Sequence, residues 1–255
     1  MKRFFPILLA FAASLNANPA PASAKEVNYE WLAEHMGPSI KTMKKVFDVA
    51  KPKVALEFGV GLTTKFFLDS CTKAISVEFV TNGCGPDAIR KYISFYQGLS
   101  NWIPISYFSG WPGDMNWAPY RYLGSDKVYK AASYGNATGK SYAEVDNLYQ
   151  VELKVFLTNL SKSNRIEIAF VNTLAAYPIR GDIIQILFGK APLILAFDCS
   201  RSSNPVDGYG YARVKTPEDY EEIYFPNSGG ATLWIQKNEK YAPMAEELRA
   251  YAQTL

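Results

Sequence analysis

Histidine is nearly missing from this chain of 255 residues: His35 is the only one. Chemistry that needs an imidazole base or several histidine metal ligands therefore has one candidate, and a surface or helix-end role is the better reading of it. Cysteine is scarce too. Cys71, Cys84 and Cys199 are too few for a disulfide scaffold, and their spacing matches no zinc motif. In an oxidising compartment Cys71 and Cys84 could pair, since one closes a helix and the other follows the next strand. The excess of positive charge is only +3, with no basic stripe, which argues against nucleic acid or an acidic membrane as partner. Repeats, low-complexity tracts and domain linkers are absent, and beyond the first residues no apolar run approaches a membrane span.

What is present begins with a three-part leader. Met1-Lys2-Arg3 is a basic tip, Phe4 to Leu15 a short apolar stretch, and Ala22-Ser23-Ala24 a small-residue tail before Lys25. This is the pattern of a secretory signal peptide, with an apolar part too short to span a bilayer comfortably. Residues 1–24 are expected to be removed. A cut after Ala17 is less favoured because Pro19 follows it, and an uncleaved anchor is the plainer alternative. Loss of Lys2 and Arg3 brings the formal charge from +3 to +1. Residues 25–255 then suit a single α/β domain, secreted or periplasmic and with no membrane attachment after cleavage.

The stretch Val54-Ala55-Leu56-Glu57-Phe58-Gly59-Val60-Gly61-Leu62-Thr63-Thr64 reads as a buried strand, a two-glycine turn and the start of a helix. Thr63 or Thr64 can cap that helix, which continues through Phe66, Phe67 and Leu68. Gly59 and Gly61 can take backbone angles closed to other residues and let a ligand lie against the main chain. Glu57 stands at the carboxyl end of the strand, where doubly wound sheets bind their ligands. A second strand, Ala74 to Phe79, carries Glu78 at its end, 21 residues after Glu57 and about where an acid would bind ribose hydroxyls. Either motif alone fits an ordinary Rossmann-like turn with a surface glutamate; together they favour a nucleoside-containing ligand.

Around this centre the pattern alternates. Helices are expected at Tyr29 to His35 and Ser39 to Ala50, separated by Gly37-Pro38, then at Thr63 to Ser70, 87–99, Asp146 to Leu160, from Arg180, and Ala242 to Gln253. Strands follow at Ile103 to Phe108, Ile166 to Val171 and Pro192 to Phe197, with Tyr220 to Phe225 and Thr232 to Gln236 as a closing hairpin. Asp146 to Leu160 fits either period, and its length favours helix. Residues 110–142 break the alternation but are rich in Trp and Tyr, which marks either a lid or acceptor-binding insertion or a satellite hydrophobic cluster.

Read as a dinucleotide fingerprint, Gly59-x-Gly61-x-x-Thr64 lacks the third glycine. Read as Glu-x-Gly-x-Gly, the stretch resembles motif I of the class I S-adenosylmethionine-dependent methyltransferases, with Thr63 where many members have a further glycine. The resemblance covers roughly Lys53 to Gln236. It implies a doubly wound, seven-stranded, mostly parallel sheet with helices on both faces and an antiparallel C-terminal hairpin. It also implies S-adenosyl-L-methionine as cofactor, held by Glu57, Gly59, Gly61, Thr63 and Glu78, with Ser109 against the adenine and Asn172 at the end of strand four. Many relatives carry an acid where Asn172 stands, and an amide cannot act as a base. Asp198, at the end of strand five, is the candidate to take a proton from a hydroxyl acceptor; the alternative is a structural aspartate capping its loop. No metal is expected, because Asn172 and Asp198 alone are a thin set for a hard cation; ligand affinity unchanged by EDTA is the check.

The acceptor is expected to be a small molecule. An exported methyltransferase needs a compartment that supplies S-adenosylmethionine. The other readings are therefore an exported methyltransferase-like binding module with a degenerate, non-catalytic site, and an NAD(P)-binding Rossmann protein. Sequons at Asn136 and Asn159 decide nothing between them.

Overall fold

The computed structural model describes residues 27–80, 95–96, 99–108, 142–173, 180–197, 199, 210–226 and 230–255. Two short helices lead in, α1 (Tyr29–Met36) and α2 (Ser39–Ala50). The Asn28 side chain caps α1 by accepting from the Trp31 N–H (2.9 Å). One face of α2, including Ile40, Met43, Val46 and Phe47, is buried, as the spacing predicts.

The core follows as β1 (Val54–Phe58), α3 (Thr63–Ser70), β2 (Lys73–Val80), β3 (Trp102–Phe108), α4 (Tyr142–Ser163), β4 (Ile168–Val171), α5 (Arg180–Leu187) and β5 (Leu193–Phe197). After a short 3-10 turn at Tyr211–Arg213 come β6 (Tyr220–Phe225), β7 (Ala231–Gln236) and α6 (Ala242–Ala252). The strands form one seven-stranded sheet in the order β3-β2-β1-β4-β5-β7-β6. Only β7 runs antiparallel to its neighbours β5 and β6; the other pairs are parallel. This is the doubly wound sheet with a closing hairpin that the sequence implied.

The sheet is covered on both faces, which is why its central strands are near-continuous apolar runs. Alternate residues face opposite layers. Ala55, Ala74, Phe170 and Leu195 pack with α2, α3 and α6, whereas Leu56, Ile75, Val171 and Ile194 pack with α4 and α5. Rings extend the first layer inward: Phe47 meets Phe67 (5.2 Å), Phe67 meets Phe170 (5.3 Å) and Phe170 meets Phe197 (4.9 Å).

Several boundaries differ from the sequence reading for local reasons. The ambiguous stretch is a helix of 22 residues, longer than expected at both ends. Leu153 and Leu157 are buried while Val151 and Val155 are 55% and 54% exposed, so a four-residue spacing and not alternation divides its faces. β4 starts two residues later than expected, because Ile166 N–H donates to Asn164 O (2.8 Å) in the turn after α4. β5 starts after Pro192, which has no N–H to give a ladder. Cys71 is a free, buried thiol pushed up to about 12 by burial; Cys84, with which it could pair, lies outside the described residues. No helix among the described residues is long and apolar enough to cross a membrane. The leader and most of the 110–142 segment also lie outside them.

Candidate functional site

Glu57 and Glu78 project from β1 and β2 on the same face of the sheet as Ser76, since Glu57 pairs with Ser76 and side chains alternate along a strand. Glu57 is 1% exposed and Glu78 9%. Burying a carboxylate is costly unless it is paired, and neither has a basic partner among the described residues. Burial therefore pushes both up to about 8. For Glu57 the Ser76 and Thr64 hydroxyls oppose that shift and the charge of Glu78 adds to it. For Glu78 the opposing contribution is the Val60 N–H, which donates to Oε2 at 2.6 Å.

The turn above them is organised by this bond and two more. Gly61 N–H donates to Thr64 Oγ1 (3.0 Å), and the Tyr96 hydroxyl donates to Gly61 O (3.0 Å). The helix cap therefore differs from the expected one. The N-cap position of α3 is Leu62, which offers no side-chain bond, and Thr64 catches the amide of Gly61 from inside the first turn. Thr63 is buried, 4% exposed. Glu78 also sits slightly deeper than expected, since β2 continues two residues beyond it to Val80.

The two glycines have different causes. Gly59 holds φ +100, and a Cβ there would meet Asn172 O at 2.9 Å and Thr173 Cα at 3.0 Å. It is glycine because the chain leaving β4 crosses directly against it, with Asn172 N–H donating to Phe58 O (3.1 Å). Gly61 has no such demand: its φ is not positive, and a Cβ would meet nothing within 4 Å. Among the described residues nothing stands over Gly61, at the carboxyl ends of β1 and β2, where sheets of this winding hold ligands.

The structure thus brings Glu57, Gly59, Gly61, Thr63, Glu78 and Asn172 together around one turn. Ser109 and Asp198 lie outside the described residues. No group of three or more His, Cys, Asp or Glu suited to a metal ion occurs among the described residues.

Three neighbours were not anticipated. Ser76 donates to Glu57 Oε1, Trp102 Nε1 donates to Ser76 Oγ (2.8 Å), and Tyr96 lines the turn. Ser76 was recognisable in principle as a polar residue inside an apolar strand, two residues before Glu78. Trp102 was not, because it is recruited from a separate strand.

Arg180 was also missed. It is wholly buried at the first position of α5, donating from Nε to Thr173 O (2.8 Å) and from Nη1 to Phe197 O (2.9 Å). A cation at a helix start opposes the helix dipole, which in the sequence was a sign of another task. That task is joining the carboxyl ends of β4 and β5. A groove of about 650 Å³, lined by Ile166, Pro192, Tyr220 and Tyr241 among others, lies at the opposite ends of the strands and so is separate from this turn.

No protein-family model matches this chain, and no curated protein matches it. Among solved structures, a methyltransferase of Podospora anserina in its SAH-bound form is similar at 12% identity and TM-score 0.42, over 93% of this chain and 100% of that one. An O-methyltransferase of Bacillus cereus in complex with SAH is similar at 11% identity and TM-score 0.45, over 90% and 97%. A methyltransferase of Geobacter sulfurreducens is similar at 10% identity and TM-score 0.46, over 89% and 96%.

Proposed function

We propose that this chain binds S-adenosylmethionine and transfers its methyl group to a small-molecule acceptor. The observation that carries the reading is the open glycine position at Gly61, in a turn that bonds one buried carboxylate through Val60 and adjoins the other through Thr64, neither with a cation of its own among the described residues. A ligand with a nucleoside diol and an ammonium group complements such a site: the diol can donate to Glu78 and the ammonium can neutralise Glu57. The cofactor brings a sulfonium-activated methyl group. The chain's part is to orient both reactants and exclude water, with little acid or base chemistry required. Asn172 beside the turn can position by hydrogen bonding but cannot accept a proton as an acid's conjugate base would.

Calorimetric titration of the chain from Lys25 to Leu255 with S-adenosylmethionine and S-adenosylhomocysteine tests this. Micromolar binding is expected, weakened roughly tenfold in Glu78→Ala, where the hydrogen bond from the diol to the Glu78 carboxyl is lost. No binding to well-folded protein would overturn the reading.

The second reading, a binding module that does not transfer methyl groups, is favoured by one observation only, the amide at Asn172 where a base would stand. It predicts binding without turnover for any acceptor offered. NAD(P) in the same titration tests the dinucleotide reading. If the leader is cleaved and the chain exported, the cofactor has to be supplied in the compartment it reaches.

A further inference from the structure

Behind Glu57 runs a chain of hydrogen bonds with a fixed direction. An indole nitrogen can only donate, so Trp102 Nε1–H gives its proton to Ser76 Oγ (2.8 Å). Ser76 has one hydroxyl proton, and it goes to Glu57 Oε1. Ser76 is fully buried, and Trp102 is held edge-on by the Tyr96 ring at 5.5 Å. The same Tyr96 bonds the Gly61 carbonyl, which ties the chain of donors to the glycine turn.

The direction has a consequence for the other oxygen. Oε1 faces a donor, so when Glu57 is neutral its proton sits on Oε2. Among the described residues that atom is buried with no hydrogen-bond partner at bonding distance; the Thr64 hydroxyl, which also acts on this carboxyl, is a neutral group. The groups facing Glu57 are Ser76 and Glu78 on β2, Thr64 on α3, and the neutral Cys71 thiol after α3. None of them is a cation. An orphaned carboxylate oxygen beside an open turn has the form of a place kept for a donor that arrives from outside.

We infer that Trp102 and Ser76 are positioning residues that hold Glu57 with Oε1 as acceptor and Oε2 as its proton-bearing oxygen, and that a ligand's cationic donor replaces that proton on binding. The O–H bond at Oε2 breaks, the proton passes to solvent, and the ligand's N–H takes over the oxygen while keeping its own charge. The ligand half rests on the proposed cofactor reading; the positioning half does not.

Two measurements test them separately. In the ligand-free chain, the carboxyl carbon of Glu57 is followed by ¹³C NMR against pH, with Glu57→Gln to assign it. Ser76→Ala is expected to move the Glu57 titration to higher pH, Trp102→Phe to move it less in the same direction, and Ser76→Thr to restore it. A merely structural role would lower stability and leave the titration where it was, and that outcome overturns the positioning assignment.

In the second, S-adenosylhomocysteine is titrated near pH 7 in phosphate and in Tris, whose ionisation enthalpies differ. Release of about one proton per ligand is expected in the wild type, together with roughly tenfold weaker binding in Ser76→Ala. Equal heats in the two buffers overturn the proton replacement. If the ligand does not bind the wild type at all, the cofactor reading and the replacement fall together, while the NMR result still decides the positioning role.

Discussion

Gly59→Ala is expected to destabilise the protein by about 3 kcal/mol or more, the sum of a strained backbone and a backbone clash. At φ +100 any side chain is strained, and here the new Cβ would stand 2.9 Å from the carbonyl oxygen of Asn172. Neither side can yield easily. Gly59 N–H is committed to Val77 O (2.9 Å), and Asn172 N–H to Phe58 O (3.1 Å), so the clash sits between two hydrogen-bonded strand ends. For a chain of this size such a loss corresponds to a fall in Tm of roughly 6–12 °C. Gly61→Ala is the control: with nothing within 4 Å of its Cβ, stability should stay within about 0.5 kcal/mol of the wild type, while cofactor affinity falls. Thermal unfolding and ligand titration of both variants check the pair. Equal loss of stability would mean that Gly61 is also a packing residue and that the open space over it is not a ligand's.

The ligand-free protein is expected to lose stability as pH rises from about 4.5 to above 8. Glu57 and Glu78 are raised from an ordinary 4.5 to about 8 by burial, so the folded state holds both protons more tightly than the unfolded state. Their stabilising contribution is complete below pH 4.5, where both states are protonated. It drains away as the unfolded carboxylates ionise first, and is gone once the folded ones ionise above about 8. The change is on the order of a few kcal/mol.

Glu57→Gln removes one of these two groups and keeps an acceptor for Ser76. The variant should match the wild type near pH 4 and be the more stable protein at pH 9, when urea unfolding is followed without ligand. A wild-type advantage at pH 9 would mean that the buried carboxylate has a compensating charge. The same two carboxylates that weaken the empty protein at neutral pH are those a cationic ligand would satisfy.

Much of this could be read in the chain because its signals are local. The strand, turn and helix from Val54 to Ser70 were marked by an apolar run, two glycines and a helical spacing, and the hairpin of β6 and β7 by two strand-like runs on either side of Gly229-Gly230. Glu57 and Glu78 were found because acids inside apolar strands stand out from their neighbours. The limits of β4 and of α4, by contrast, depended on where single amides found partners and on which valines faced water.

By itself the sequence determined the class of fold and pointed to the neighbourhood of the candidate site, since periodicity and turn residues act over a few positions. Only the tertiary structure decided why each glycine is there, because the chain that crowds Gly59 comes from Asn172 and nothing comes to Gly61. It alone joined Trp102 to Ser76 and Glu57, and buried Arg180 between the ends of β4 and β5. These contacts join residues far apart in the chain, and a side chain's partner across a sheet leaves no trace in the residues beside it.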